Sequence, residues 1–151
     1  MNNESLSKST TLNWHLLFSA WILATSSTLI SLFFSEVMQL PVCELCWYQR
    51  ITMYPLVLIL PLALFPYDPK GARYGGILVV IGWLTALFHV LLVEGIIPES
   101  VQPCVQGVPC SETHINLFGF LNIPMMSLLT FTLIGSLLIY PIIQSTREYH
   151  E

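Results

Sequence analysis

From about Trp14 to Phe34 the chain is mostly apolar and carries no Asp, Glu, Lys or Arg. A helix rises about 1.5 Å per residue, so this stretch is long enough to cross the hydrocarbon core of a bilayer. It also exceeds the roughly 7–15 apolar residues of a cleaved secretion signal, which argues that it is retained. Glu36 and Gln39 end it, and Pro41 follows. A second apolar stretch runs from about Cys46 to Phe65. Pro55 and Pro61 inside it predict a helix that bends rather than stops. The turn from Pro66 to Arg73 leads to a third stretch, about Tyr74 to Ile97. Pro98 to Asn116 reads as a loop. Leu117 to Ile123 is apolar but holds Gly119 and Asn122, so it reads as a segment lying along the membrane interface. Pro124 suits the first turn of a helix, which sets the fourth stretch at about Pro124 to Ile143. The pattern predicts an all-α integral membrane protein: a four-transmembrane-helix bundle, with residues 1–151 as a single domain.

Composition supports a bilayer as the solvent. Apolar residues make up 54% of the chain and charged residues 9%, against about 25% charged in soluble proteins. The net charge of −4 comes with no basic patch, which excludes a nucleic-acid partner. The few cations set the orientation. Lys8, Lys70, Arg73 and Arg147 fall on one side of a four-span chain, and Arg50 alone falls near the other. The excess of cations on cytoplasmic loops then predicts a multi-pass cell-membrane protein with both termini in the cytoplasm. Trp14, Trp47, Tyr48, Tyr67, Tyr74 and Tyr140 lie near span ends and read as interfacial belts. All four cysteines lie in or beside the two short loops left on the extracytoplasmic, oxidising side.

Two of them open the second span as Cys43-Glu44-Leu45-Cys46-Trp47-Tyr48-Gln49-Arg50. Residues three apart share a helical face, so the two sulfurs can meet. The positive end of the helix dipole favours a thiolate there, the form that attacks disulfides. Arg50, one turn further on, adds a full charge. The spacing alone leaves three readings open: a redox pair, half of a zinc site, or a static staple. The second pair, Cys104 and Cys110, has five residues between its members, including Gly107, and each cysteine follows a proline. His89 is an ionisable group in the outer half of the third span, a candidate functional residue by its position. A histidine hydrogen-bonded inside the bundle is the competing reading. Met125 and Met126 read as ordinary bundle packing.

These segments together resemble the DsbB family of membrane thiol–quinone oxidoreductases. Cys43 to Leu60 and Pro103-Cys104-Val105-Gln106-Gly107-Val108-Pro109-Cys110-Ser111 look most like its BdbC branch, found in Bacillus. The resemblance covers about Trp14 to Ile143. Gram-negative members carry a much longer loop between the second pair, so their docking geometry does not transfer. The resemblance implies catalytic roles for Cys43, Cys46, Cys104 and Cys110. An extracytoplasmic thioredoxin-like thiol oxidase, DsbA- or BdbD-like, gives electrons to Cys104–Cys110. That pair passes them to Cys43–Cys46, and from there they reach a membrane quinone. The Bacillus-like branch favours menaquinone over ubiquinone. Cys46, the thiol nearer the span, is expected to meet the quinone. Arg50, His89 and Trp47 are its expected binding residues: Arg50 by charge, His89 by a similar position in the family, Trp47 by stacking on the ring. The alternative is a four-cysteine metal-binding or statically disulfide-stapled membrane protein. Outward-facing cysteines oxidise readily and the second spacing is wide for a zinc ribbon, so no metal is expected.

The orientation is testable. Impermeant thiol reagents added outside intact cells should label reduced Cys104 and Cys110. Labelling only after the membrane is opened would reverse it.

Overall fold

The computed structural model describes residues 3–65, 67–98, 116–117 and 121–150. Cys104, Cys110 and nearly all of the loop that holds them lie outside the described residues. The chain forms α1 (Asn3–Leu32), which runs into one π-helical turn (Phe33–Val37), then α2 (Glu44–Leu64) and α3 (Pro69–Val93). Strands β1 (Asn116–Leu117) and β2 (Leu121–Asn122) follow, two residues each, and α4 (Ile123–His150) closes the chain. The strands pair antiparallel, with Asn116 opposite Asn122. The segment expected along the interface thus has its backbone groups partly satisfied by its own two ends.

Local chemistry sets the helix ends. α3 begins where Asp68 Oδ1 accepts the Lys70 N–H at 2.9 Å, with Pro69 as its first residue. It stops at Val93, short of the expected Ile97. Gly95 takes a left-handed φ of 72°, and the N–H groups of Gly95 and Ile96 turn back to Leu92 and Leu91 carbonyls. The π turn ends α1 with the Met38 N–H on Phe33 O at 3.1 Å. Gln39 follows at φ 52°, and its side-chain amide donates to Glu36 O.

As predicted, α2 continues through Pro55 and Pro61. A proline has no N–H, so Pro61 leaves the Val57 carbonyl without its usual helical donor. The Trp21 indole of α1 supplies one, Nε1 to Val57 O at 3.1 Å. This is how a bundle tolerates proline within lipid.

α1 packs on α2 and α4, and α3 packs on the same two, so the helices close a ring in chain order. The core takes Leu17, Ala20 and Ala24 from α1 and Met53, Leu56 and Leu60 from α2. α3 adds Ala72, Val79 and Ala86, and α4 adds Phe131, Ile134 and Leu138. Small residues let backbones approach where water provides no drive for helices to associate. The outer face is as apolar as the core: Leu58, Leu62, Ile77, Val80, Leu84 and Leu129 are exposed. That is the surface of a bundle solvated by lipid.

Among the described residues three helices have the length and hydropathy of a span: Thr10–Val37, Lys70–Val93 and Ile123–Gln144, with mean hydropathies of 1.8, 2.4 and 2.0. α2 is not among them. Its first half carries Gln49, Arg50 and Thr52, and all three are buried. Polar groups inside a membrane bundle mark function more often than packing.

Gly82 of α3 lies against the Phe131 ring, and a Cβ there would stand 2.6 Å from Thr52 Oγ1. Gly82→Val should destabilise the bundle by about 1–3 kcal/mol through overpacking. Thermal unfolding in detergent reads this directly. Gly135→Ala, whose new Cβ would meet only Val79 Cγ1 at 3.3 Å, should lose less.

Candidate active site

The polar head of α2 is the place to build from. Cys43 is its N-cap: Sγ accepts the Cys46 N–H at 3.3 Å, in the role an oxygen plays at most helix starts. Both sulfurs are free thiols. Cys43 is buried with Leu45 and Leu92, against Phe88, and Cys46 is half-buried.

His89 of α3 reaches this cap. Its Nε2 lies 3.8 Å from Cys43 Sγ, and its Nδ1 lies 3.1 Å from the Gln49 side-chain amide. His89 and Gln49 are both buried. The Cys46 thiol, donating to Cys43 Sγ, outweighs burial together with His89 and the Cys46 N–H. These hold the Cys43 thiol down at about 4. A dipole-facing sulfur with two more donors is a nucleophile at neutral pH.

On another side of α2, Cys46, Gln49 and Arg50 border a cavity of about 190 Å³. Its walls come from α1 and the π turn, from the α1–α2 connection, and from α2 and α4. They include Ile30, Phe34, Met53, Met126 and Phe131. Arg50 is buried at its edge, with Nε donating to Ser31 Oγ at 2.9 Å and Nη2 to Ser31 O at 2.8 Å. Its guanidinium also stands 5.4 Å over the Trp47 ring. Thr28 Oγ1, in the cavity wall, is buried with no hydrogen-bond partner among the described residues.

Among the described residues the structure therefore divides the expected site. Cys46 and Arg50 line the cavity. Cys43 and His89 do not: Cys43 packs toward α3, and the cavity draws no residue from that helix. Trp47 also stays out of the lining; it is half exposed and takes Arg50 on its face. Cys104 and Cys110 lie outside the described residues. Ser31, Gln49 and Thr28 were not singled out from sequence. The signal for two of them was present: Thr28, Ser31 and Ser35 put hydroxyls at helical spacing in an apolar span. Of the two methionines read as packing, Met126 lines the cavity.

Residues 11–141 match the family model described as Disulfide bond formation protein DsbB. The chain belongs to the DsbB family. It is 47% identical over 132 residues to the Probable disulfide formation protein C 2 of Bacillus cereus, spanning 87% of this chain and 92% of that one. It is 46% identical over 120 residues to the Disulfide bond formation protein C of Bacillus subtilis, spanning 78% and 86%. A Probable disulfide formation protein of Metapseudomonas resinovorans is 43% identical over 129 residues, spanning 85% and 90%. No solved structure matches the chain. The family makes this DsbB-type protein a multi-pass membrane thiol–quinone oxidoreductase acting in disulfide bond formation.

The thiolate at Cys43 has a pH signature. A lowered pKa keeps the thiolate populated at all pH values above it, and reactivity falls as pH drops through it. In a variant with Cys46→Ser, Cys104→Ser and Cys110→Ser, the serine hydroxyl keeps a donor beside Cys43. Its alkylation rate should stay nearly flat from pH 8 to about pH 6, where an ordinary thiol slows about tenfold per unit. An ordinary thiol profile would remove the reading.

Proposed function

We propose that four spans carry electrons from extracytoplasmic thiols, through two cysteine pairs, to a quinone bound beside Cys46. The single observation that carries this is the apolar cavity with Cys46 and a buried Arg50 on its wall. A ring system fits such a space: an engineered cavity of about 150 Å³ takes benzene. The unpartnered Thr28 hydroxyl and the Arg50 guanidinium suit the carbonyl oxygens of a quinone. Bound there, a quinone supplies a two-electron, two-proton acceptor, and the Bacillus relatives favour menaquinone.

The chain's own part is thiol chemistry. A reduced thioredoxin-like partner attacks Cys104–Cys110, and its two electrons leave Cys104 and Cys110 as thiols. One of these attacks the Cys43–Cys46 disulfide through a mixed disulfide. Cys43 is the thiol for that exchange, since it lies off the cavity. Cys46, facing the cavity, is the thiol from which the electron pair departs. Arg50 keeps negative charge favourable at that wall, and Ser31 fixes its guanidinium in place. Both cysteine loops and the Cys43 cap face the extracytoplasmic side, and both termini face the cytoplasm. Arg50 in the first half of α2, beside a cavity that serves a lipid-soluble acceptor, explains why α2 falls short of the other spans in hydropathy.

The test is direct. The protein purified in detergent should carry quinone and should oxidise a reduced thioredoxin-like partner. Arg50→Ala should slow quinone reduction by the equivalent of about 2–4 kcal/mol, the range for loss of one oxyanion donor. Exchange between the cysteine pairs and the partner should change far less. Parent-rate quinone turnover in Arg50→Ala would leave Arg50 as an interfacial anchor only.

A further inference from the structure

The reduced pair is set within reach of an imidazole, and the three ligand atoms are closely grouped. Cys43 Sγ, Cys46 Sγ and a ring nitrogen of His89 all lie within 4.8 Å of one another. The Cys43 Sγ to His89 Nε2 separation is 3.8 Å. Zinc bonds of about 2.3 Å to sulfur and about 2.0–2.1 Å to nitrogen, at a tetrahedral angle, place two such ligands roughly 3.6 Å apart. The observed spacing is therefore that of two ligands around one ion, with only small shifts needed. Two thiolates and a neutral imidazole make a ligand set suited to borderline-soft d¹⁰ cations. Three protein ligands leave the fourth position for water, and half-buried Cys46 provides the way in.

Gln49 completes the arrangement. Metal-bound histidines almost always hold their second ring nitrogen in a hydrogen bond that fixes the tautomer. The Gln49 amide stands 3.1 Å from His89 Nδ1. With its oxygen turned to Nδ1–H, the Nε2 lone pair points at the sulfurs. Charge balance also favours an ion. Two thiolates buried in an apolar cluster are costly, and a divalent cation neutralises them.

We propose that the reduced Cys43–Cys46 pair and His89 form a site for a borderline-soft divalent cation, Zn²⁺ fitting best. The site exists only in the dithiol state. Binding moves no electrons: two S–metal bonds and one N–metal bond form, and up to two thiol protons are released to solvent. Oxidation to the disulfide consumes both sulfurs and abolishes the site. An ion seated there holds the pair reduced, so the cation is a brake on the enzyme. The proposal rests on the geometry of the pair and not on which acceptor takes its electrons.

The experiment uses the full chain in detergent with Cys104→Ser and Cys110→Ser, so that the first pair alone can respond. The reduced protein, freed of reductant, is titrated with Cd²⁺, read by its thiolate-to-metal absorption, and then with Zn²⁺ as competitor. One equivalent should bind to the reduced protein and none to the disulfide form. His89→Ala and His89→Gln should each weaken binding roughly tenfold or more, and Gln49→Leu should weaken it about tenfold through the tautomer. Gln49→Glu, which offers Nδ1–H a carboxylate, should tighten it. Equal binding to oxidised and reduced protein would overturn the proposal. So would no binding to a reduced protein with two titratable thiols, or parent affinity in both His89 variants. None of these readouts involves quinone, so failure here and failure of the electron path are separately visible.

Discussion

Hydrocarbon offers no hydrogen-bond partners, and the arrangement of α2 follows from that constraint. Its first half carries Gln49, Arg50 and Thr52, and each finds a partner inside the bundle. Arg50 reaches α1 at Ser31, Gln49 reaches α3 at His89, and further down Trp21 of α1 serves the carbonyl freed by Pro61. Such interhelical bonds contribute about 0.6–2 kcal/mol each. Their larger effect is to select one rotation of each helix, since any other leaves a polar group facing lipid tails.

That rotation separates the two thiols of one motif. Positions 43 and 46 are three residues apart, yet Cys43 lies among Leu45, Leu92 and His89 while Cys46 borders the cavity. In the proposed electron path, a sulfur held as thiolate off the cavity and a sulfur facing it are suited to different partners. On that proposal, one short helical turn gives each half of the reaction its own sulfur.

The fold was largely legible because lipid imposes a simple code: long apolar runs become helices, and proline within them does not end them. The misjudged end of α3 turned on Gly95, whose left-handed φ is a local event inside an apolar run. The cysteine pair was legible as a helix-head motif, but its spacing left redox, zinc and staple readings open, and it is the family that makes the chain an oxidoreductase. His89 was legible as an ionisable residue in a span, and the resemblance pointed it at a quinone, while the structure sets it off the cavity against Cys43. Which neighbour it meets depends on how α3 is rotated against α2, and that is set by close packing such as Gly82 against Phe131 and Thr52. No local pattern encodes this. Ser31 was harder still, because a serine in a span is ordinary until an arginine two segments away donates to it.

The tight junction between α2 and α3 has a consequence for how the protein reaches the membrane. The Asp68 N–H bonds Ala63 O at 2.8 Å, Leu64 bridges Tyr67, and Gly71 touches Ala63. These contacts are local in sequence, so they can form as soon as both helix ends are made. In the proposed four-span arrangement, α2 alone is a poor candidate for insertion, since an arginine opposes partitioning by up to about 2.5–3.5 kcal/mol at a helix centre. α3, with mean hydropathy 2.4, is a strong one. Coupled through so short a turn, the pair would partition as one unit, with the arginine-bearing helix carried into the bilayer by its more apolar neighbour. Damage to this junction would then appear in biogenesis, as fewer molecules inserted, while each inserted molecule turns over normally.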